Sequence, residues 1–427
     1  MFKVLVIAYY FPPMGLSGVQ RVLKFTKYMS KNNWDPTVIT SGDVGYFAHD
    51  DYMQKEAENS DIRIIRTSGN DPNRLLSKYG TITMPAEIIR KTFSNLSKTF
   101  FIPDNKVSWS KQAYLTAKEL LTKEHFDILF VTIPPYSAFS MAAKLKEEFN
   151  IPLIVDYRDL WFGNQFSFYP TFYHKLKHKK MEYNALKAAD KIVTINRYIK
   201  EKLLVNYKFL TFDDISIVPQ GYDPDDFEKA TPIPLNKTKL KLTYSGIFYT
   251  KATPKFLLKA FKLLLTQRPD IAAGIELHFC GLLRKENEKL IKKLGIQEFV
   301  KIHGYLNHKE ALDYVLSSDV LWMMIGRMKA AETISTGKLF EYFGTKKPIL
   351  GCVPEGAARL ELQRYKASFI CEPDDIEGIK EQLINIYTLF KAGNLPACNE
   401  EFVEKHNRIT LTEELTRIFQ FTMRADI

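Results

Sequence analysis

The sequence predicts an α/β protein made of two doubly wound, Rossmann-like parallel domains. Three observations carry this. The chain has 427 residues, 45% of them apolar, which exceeds one ordinary core and suits two domains of roughly 200 residues each. Short, wholly apolar runs alternate with helical patterns almost throughout, as in parallel sheets covered on both faces. The alternation breaks over Tyr222–Lys239 (YDPDDFEKATPIPLNKTK). That stretch is rich in Pro, Asp and Lys, lacks periodicity and reads as a linker between residues 1–222 and the rest.

In the first half, Lys3–Tyr9 (KVLVIAY) is a strand, followed by a Pro/Gly turn. Val22, Leu23, Phe25, Tyr28 and Met29 then fall at helical spacing within Val19–Ser30. Further strands are expected at Asp35–Thr40, Ile62–Arg66, Asp127–Thr132, Leu153–Asp156 and Ile192–Ile195. In the second half the strands are Leu240–Ser245, Ile275–Cys280, Val300–His303, Val320–Met324, Pro348–Gly351 and Ser368–Cys371. Pro254 opens a helix to Leu265, a position where its missing N–H costs nothing. Ligands of such sheets bind beyond the carboxyl ends of the strands.

Composition excludes several classes. No run approaches the ~20 apolar residues of a membrane-spanning helix. The start, MFKVLVIAYYFPPMG, reads as a buried strand with no small-residue cleavage site after it, so a cytoplasmic protein is expected. Cys280, Cys352, Cys371 and Cys398 are widely spaced and read as free thiols rather than zinc ligands. The net charge of +11 fits nucleic acid, an anionic membrane face or phosphorylated substrates. Without a zinc finger, RRM signature or basic tail, nucleic acid is set aside. One segment departs from the pattern. Ile89, Phe93, Leu96 and Phe100 form a stripe beside Arg90, Lys91 and Lys98. It is either a core-facing helix or one resting on an anionic membrane or lipid acceptor. Lys175, Lys177, Lys179 and Lys180 read as a solvated helix face.

Several strand ends carry chemistry. In Phe11–Arg21 (FPPMGLSGVQR), Gly15 and Gly18 allow close backbone approach, and the helix start beside them suits phosphate. A plain tight turn explains the same residues. Asp156, Arg158 and Asp159 cluster at another strand end, where charge must be paired or face a cleft. Arg158 cannot act as a base; it holds a phosphate, orients Asp159 or pairs with it. Ser335–Lys338 opens a helix whose N–H groups suit a diphosphate, with Lys338 adding charge. Glu341 on that helix can accept two ribose hydrogen bonds, unless Lys338 and Glu341 are only a surface pair. The acidic pairs Asp50-Asp51, Asp213-Asp214, Asp225-Asp226 and Asp374-Asp375 lie in loops, and the eight histidines show no HxH or HExxH spacing. No metal or other cofactor is expected.

These motifs, taken in order, resemble the bacterial glycosyltransferases of family four. FPPMGLSGVQRVLKF is similar to the family's first loop and helix, and VTIPPYS (Val131–Ser137) to its SPP loop. IPLIVDYRDLW (Ile151–Trp161) resembles its DxRDxW strand end, and IVPQGYDPDDF (Ile217–Phe227) its IPNGYD strand. TGKLFEYFGTKKPILG (Thr336–Gly351) resembles GKLFEYLAAGKPIL. The resemblance covers nearly the whole chain. It implies the GT-B fold, two facing Rossmann-like domains with an interdomain cleft. The first, acceptor-binding domain is residues 1–222, onto which Phe402–Ile427 packs back; residues 223–401 form the nucleotide-sugar domain.

The resemblance also implies site roles. Glu341 takes the place of the ribose-binding Glu of an E-x7-E pattern, while Thr333 holds the first Glu position and Glu332 is off by one. Gly246 ends a strand after which Arg and Lys usually neutralise the diphosphate. The Arg place is Ile247 here, and Lys251 fits the Lys with a one-residue slip, with Lys255 as a rival. His303, Gly304 and Tyr305 sit where the base rests against backbone, and Arg327 lies near the same face. Thr336, Gly337 and Lys338 complete the donor side, and Arg158, Asp159 and Lys338 the catalytic set. The implied reaction is metal-independent hexosyl transfer with retention, from a nucleotide diphosphate sugar to a glycan or polyprenyl-linked acceptor. The implied setting is O-antigen or capsule assembly at the inner membrane face. A sugar-nucleotide epimerase of the same fold and a non-catalytic nucleotide-binding protein are the alternatives.

Overall fold

The computed structural model of the chain describes residues 1–15, 17–42, 49–69, 95–165, 167–234, 238–248 and 252–425. Two compact units emerge: Met1–Pro219 with Arg408–Ile427, and Gln220–Asn407.

The first unit holds a seven-stranded parallel sheet, in the order β3-β2-β1-β4-β5-β6-β7. Its strands are β1 Phe2–Ile7, β2 Trp34–Ser41, β3 Arg63–Thr67, β4 Ile128–Ile133, β5 Leu153–Tyr157, β6 Lys191–Thr194 and β7 Ile215–Ile217. β1 and β4 run side by side, with Val4–Ile7 against Ile128–Val131. Both are wholly buried there, which is why their sequences are apolar without alternation. Helices Ser17–Met29, Val107–Lys123 and Tyr136–Phe149 cover the sheet. The last helix, Arg408–Ala425, sets Leu411, Leu415 and Phe419 into the same core. Phe419 meets Trp34 edge-on at 5.1 Å and Phe130 at 5.2 Å.

The second unit holds six parallel strands in the order β10-β9-β8-β11-β12-β13. They are β8 Leu240–Ser245, β9 Ile275–Cys280, β10 Val300–Gly304, β11 Val320–Met324, β12 Ile349–Cys352 and β13 Ser368–Cys371. Numbered within the unit this is 3-2-1-4-5-6, the doubly wound order that places a ligand where the winding reverses, between β8 and β11. β11 shows how both faces are filled. Val320, Trp322 and Met324 enter one core, and Leu321 and Met323 the other.

Two boundaries differ from the sequence expectation. The described part of the stretch expected as a linker, from Tyr222 on, carries a helix and belongs to the second unit. Asp223 caps helix Pro224–Glu228, Tyr222 is buried, and Thr231 N donates to Asp313. Asp223, Pro224, Asp225 and Asp226 are helix-start residues, and a five-residue helix is too short to show periodicity. The return to the first unit begins at Arg408 rather than Phe402, because Phe402 and Val403 are buried in the second unit's core. All four cysteines are free thiols. Among the described residues no helix is long and apolar enough to cross a membrane.

Candidate active site

The carboxyl ends of β8, β9 and β10 are each turned by a glycine with positive φ: Gly246 (118°), Gly281 (136°) and Gly304 (74°). The backbone is locked there, with Gly246 N donating to Cys280 O and Gly281 N to Gly304 O, both at 2.7 Å. A Cβ at Gly281 would stand 2.2 Å from the carbonyl oxygen of Gly246, so only glycine fits. Across the switch point, β11 leads through residues 325–336 to helix Gly337–Gly344. Tyr342 ties this helix to the end of β8, its hydroxyl accepting from Ser245 N at 2.8 Å.

That tie places Lys338. Its ammonium lies 3.8 Å from the centroid of the Tyr244 ring. It also fills the space over Gly246, where a Cβ would come within 2.7 Å of Nζ. No carboxylate bonds it among the described residues. Burial pushes its pKa down to about 7, partly offset by the charge of Glu341. An ammonium so placed is short of a counter-charge. The helix start supplies further unmet donors. Thr336 is the N-cap, yet its side chain makes no cap bond, and the hydroxyls of Ser335 and Thr336 are buried without partners among the described residues. Gly337 and Lys338 carry first-turn amides, which have no intrahelical acceptor. The hydroxyls of Ser335 and Thr336, the amides of Gly337 and Lys338 and the Lys338 ammonium are thus donors of one helix start, a set suited in chemistry to a phosphate or diphosphate.

Glu341, one turn further on, is bound by His308, which stands in none of the sequence motifs. His308 Nε2 lies 2.5 Å from Glu341 Oε1, and His308 Nδ1 lies 3.8 Å from Asp226. One carboxylate oxygen of Glu341 is therefore engaged within the protein. His303 stacks between His278 and Tyr314, with centroids at 5.2 and 4.2 Å. Burial, helped by His278, lowers its pKa to about 4, so it is neutral at physiological pH. Tyr305, next to Gly304, is exposed.

Other predicted residues stand differently. Arg327 donates to Asp374 at 3.0 Å and Glu372 at 2.6 Å, so its charge meets carboxylates rather than an open phosphate position. It borders a cavity of about 400 Å³ that Glu332 also lines, while Thr333 turns inward and donates to Ala330 O. A carboxylate thus reaches this region from Glu332, one residue before the place the motif assigns. Lys251 lies outside the described residues.

In the first unit, Arg158 donates to three carbonyls: Gly18 O at 2.6 Å, and Ile133 O and Pro134 O at 3.2 Å. It joins the start of helix Ser17–Met29 to the end of β4. Asp159 beside it is exposed. Gly15 is buried and Gly18 exposed at that helix start. Asp156 is wholly buried and held by Arg21 at 2.8 Å and by Thr132. Arg21 also donates to Val218 O and Pro219 O, closing the sheet's far strands. At the Pro134-Pro135 turn, Asp104 accepts from Ser137 N and Oγ, so a carboxylate already occupies that helix start.

The comparisons agree with this architecture. Residues 17–226 match the model for Glycosyltransferase Family 4, and residues 225–391 that for Glycosyl transferases group 1. Together with the two sheets, they make the chain a glycosyltransferase of the GT-B fold. It is an enzyme, with the glycosyl transferases group 1 domain in its second unit. Sucrose-phosphate synthase from Thermosynechococcus elongatus superposes with a TM-score of 0.68 at 13% identity, over 100% of both chains. A glycosyltransferase from Rickettsia africae gives 0.65 at 16%, over 99% of this chain and 98% of that one. Anabaena HepE, solved with UDP-glucose, gives 0.61 at 12%, over 98% and 100%. At these identities the likeness is one of fold. No curated protein matches the sequence.

Proposed function

We propose that the protein transfers a hexosyl group from a nucleotide diphosphate sugar to a glycan or lipid-linked acceptor, with retention and without a metal, in surface polysaccharide assembly. The observation that carries the donor assignment is Lys338. It is a desolvated ammonium with no bonded carboxylate, beside a helix start whose hydroxyls and amides also lack acceptors. HepE, of the same fold, binds UDP-glucose, and a ligand of that class would fit these groups. Its diphosphate would lie between Lys338 and the amides of Gly337 and Lys338, its ribose at the remaining oxygen of Glu341, and its base along Gly304 and Tyr305.

The chemistry follows from charge. The bond from the anomeric carbon to the diphosphate oxygen breaks, and the leaving diphosphate gains a negative charge. Donors fixed in advance stabilise that charge at the moment it develops. The acceptor hydroxyl bonds to the anomeric carbon from the face the diphosphate leaves, giving retention, and its proton passes to the departing phosphate oxygen. Asp159, exposed at the end of β5, is assigned to the acceptor, and Arg158 to holding the backbone beneath it.

The test is a screen of the purified protein with UDP-, GDP-, ADP- and dTDP-sugars, following nucleotide release with and without a lipid-linked glycan acceptor. Release that needs the acceptor and survives a chelator is expected. Turnover of donor alone into an isomeric sugar nucleotide would favour the epimerase reading. Loss of activity with chelator would refute metal independence.

A further inference from the structure

The first unit carries an exposed aromatic and cationic face that no packing among the described residues accounts for. Helix Phe172–Ala188 begins with Phe172 (72% exposed) and Tyr173 (63%), with Leu176 one turn on, also exposed. Beside it a short helix over residues 95–100 presents Leu96 and Phe100, the latter 78% exposed. The two are joined by His174 Nε2 and the carbonyl oxygen of Thr99, 3.1 Å apart. The core-facing alternative for Leu96 and Phe100 therefore fails. Ile89, Arg90, Lys91 and Phe93 lie outside the described residues.

The exposed charge on helix Phe172–Ala188 has one sign. Lys175, Lys177, Lys179 and Lys180 are exposed and have no ion-pair partner among the described residues. Lys177 instead lies 5.5 Å over the Tyr173 ring. The helix's one acidic residue, Glu182, is buried and bonded to Tyr157, Tyr207 and the amide of Phe162. Large apolar side chains ringed by unpaired lysines are what an interfacial helix presents to an anionic bilayer. The rings enter the acyl boundary and the lysines meet headgroups. Protein–protein interfaces, by contrast, are depleted in lysine.

The same helix is anchored to the acceptor side of the unit. Trp161, in the loop that follows Arg158 and Asp159, donates from Nε1 to His178 at 3.0 Å and stacks on Tyr136 at 5.0 Å. We propose that Phe172, Tyr173, Leu176, Leu96 and Phe100, with Lys175, Lys177, Lys179 and Lys180, form a docking surface for an anionic lipid bilayer. It holds the Arg158–Trp161 strand end at the membrane. Its use in reaching a lipid-linked acceptor rests on the proposed function; the docking itself does not.

The experiment is sedimentation of the full chain with phosphatidylcholine vesicles, with and without phosphatidylglycerol, at two salt concentrations and with no donor or acceptor present. Binding to the anionic vesicles alone is expected. It should weaken at high salt, since the Debye length falls from ~10 Å at 0.1 M to ~3 Å at 1 M. Each lysine near such a surface is worth about fivefold in affinity, so Lys175→Ala/Lys179→Ala should weaken binding roughly 25-fold. Phe172→Ser/Tyr173→Ser should weaken it with unchanged thermal stability, because both side chains are exposed. No binding, equal binding to neutral and anionic vesicles, or binding indifferent to both variants overturns the proposal. Conversion of an oligomer to a monomer by Phe172→Ser would show a subunit interface instead. A failed transfer assay with intact vesicle binding would count against the acceptor reading alone.

Discussion

At the residue scale, Lys338 sets a pH dependence that can be derived. Its pKa of about 7 is lowered chiefly by burial. If the proposed donor site is right, a diphosphate beside it would restore the missing counter-charge and raise that value, so binding would take up a proton above pH 7. Donor affinity should be highest below about pH 7 and fall by up to tenfold per pH unit above it. Lys338→Arg keeps its charge throughout and should flatten the slope. Titration calorimetry of the nucleoside diphosphate in buffers of different ionisation enthalpy measures both effects, and an affinity independent of pH would remove Lys338 from the diphosphate. Glu341→Ala should cost donor affinity at least tenfold, from hydrogen bonds to a charged group worth roughly 1.5–3 kcal/mol. Unchanged affinity with a large drop in melting temperature would make Glu341 a structural partner of His308. Lys338 and Glu341 were legible because they share one short motif. His308, 33 residues before Glu341, was not, since the contact joins two separate helices. Arg158 was legible as a charge at a strand end, but its bonds run to carbonyls of β4 and of a helix 140 residues away, which side-chain chemistry alone does not announce. Gly281 was passed over because it stands in no motif; its need appears only when β8 and β9 are paired.

At the scale of elements, the interior strands were the most readable. β8, β9 and β11 match the expected ranges, since strands buried on both faces are continuous apolar runs bounded by turns. β7 was missed as a separate element: Ile215–Ile217 is three residues long at the sheet edge. Three of the four acidic pairs that looked idle in loops prove to lie at helix starts; Asp213-Asp214 stays in a turn before β7. Asp50 accepts from Tyr52 N and Met53 N, and Asp375 from Gly378 N. The C-terminal helix gives the sharpest test at this scale. Phe419 is wholly buried between Trp34 and Phe130, although it lies almost 200 residues outside the first unit's continuous segment. Phe419→Ala should destabilise that unit by roughly 3–5 kcal/mol, the cost of truncating a buried aromatic ring. Urea unfolding followed by hydrogen exchange should show the loss in peptides from β1, β2 and β4. A loss below ~1 kcal/mol would mean that the helix only rests on a core complete without it.

At the scale of the molecule, two separate cores lead to a prediction about where binding is felt. One cluster fills the first unit, and two others lie on either face of the second unit's sheet. Every group to which the proposed function gives the donor belongs to residues 220–407: Gly304 and Tyr305, the amides of Gly337 and Lys338, the Lys338 ammonium and Glu341. A ligand that binds only the folded state stabilises it by RT ln(1 + [L]/Kd), about 2.7 kcal/mol at one hundred times Kd. That energy should appear in the unit that makes the contacts. With saturating nucleoside diphosphate and no sugar or acceptor, amides of β8, β9 and β11 that exchange only through unfolding of that unit should slow by roughly 100-fold. Amides of β1, β4 and β5 should keep their rates. Lys338→Ala should reduce the protection without moving it elsewhere. Hydrogen exchange read by mass spectrometry separates the two sheets peptide by peptide. Protection of β1, β4 and β5 with none in β8, β9 and β11 would put the nucleotide on the first unit, against Gly15 and Gly18, and overturn the assignment of the donor to Lys338.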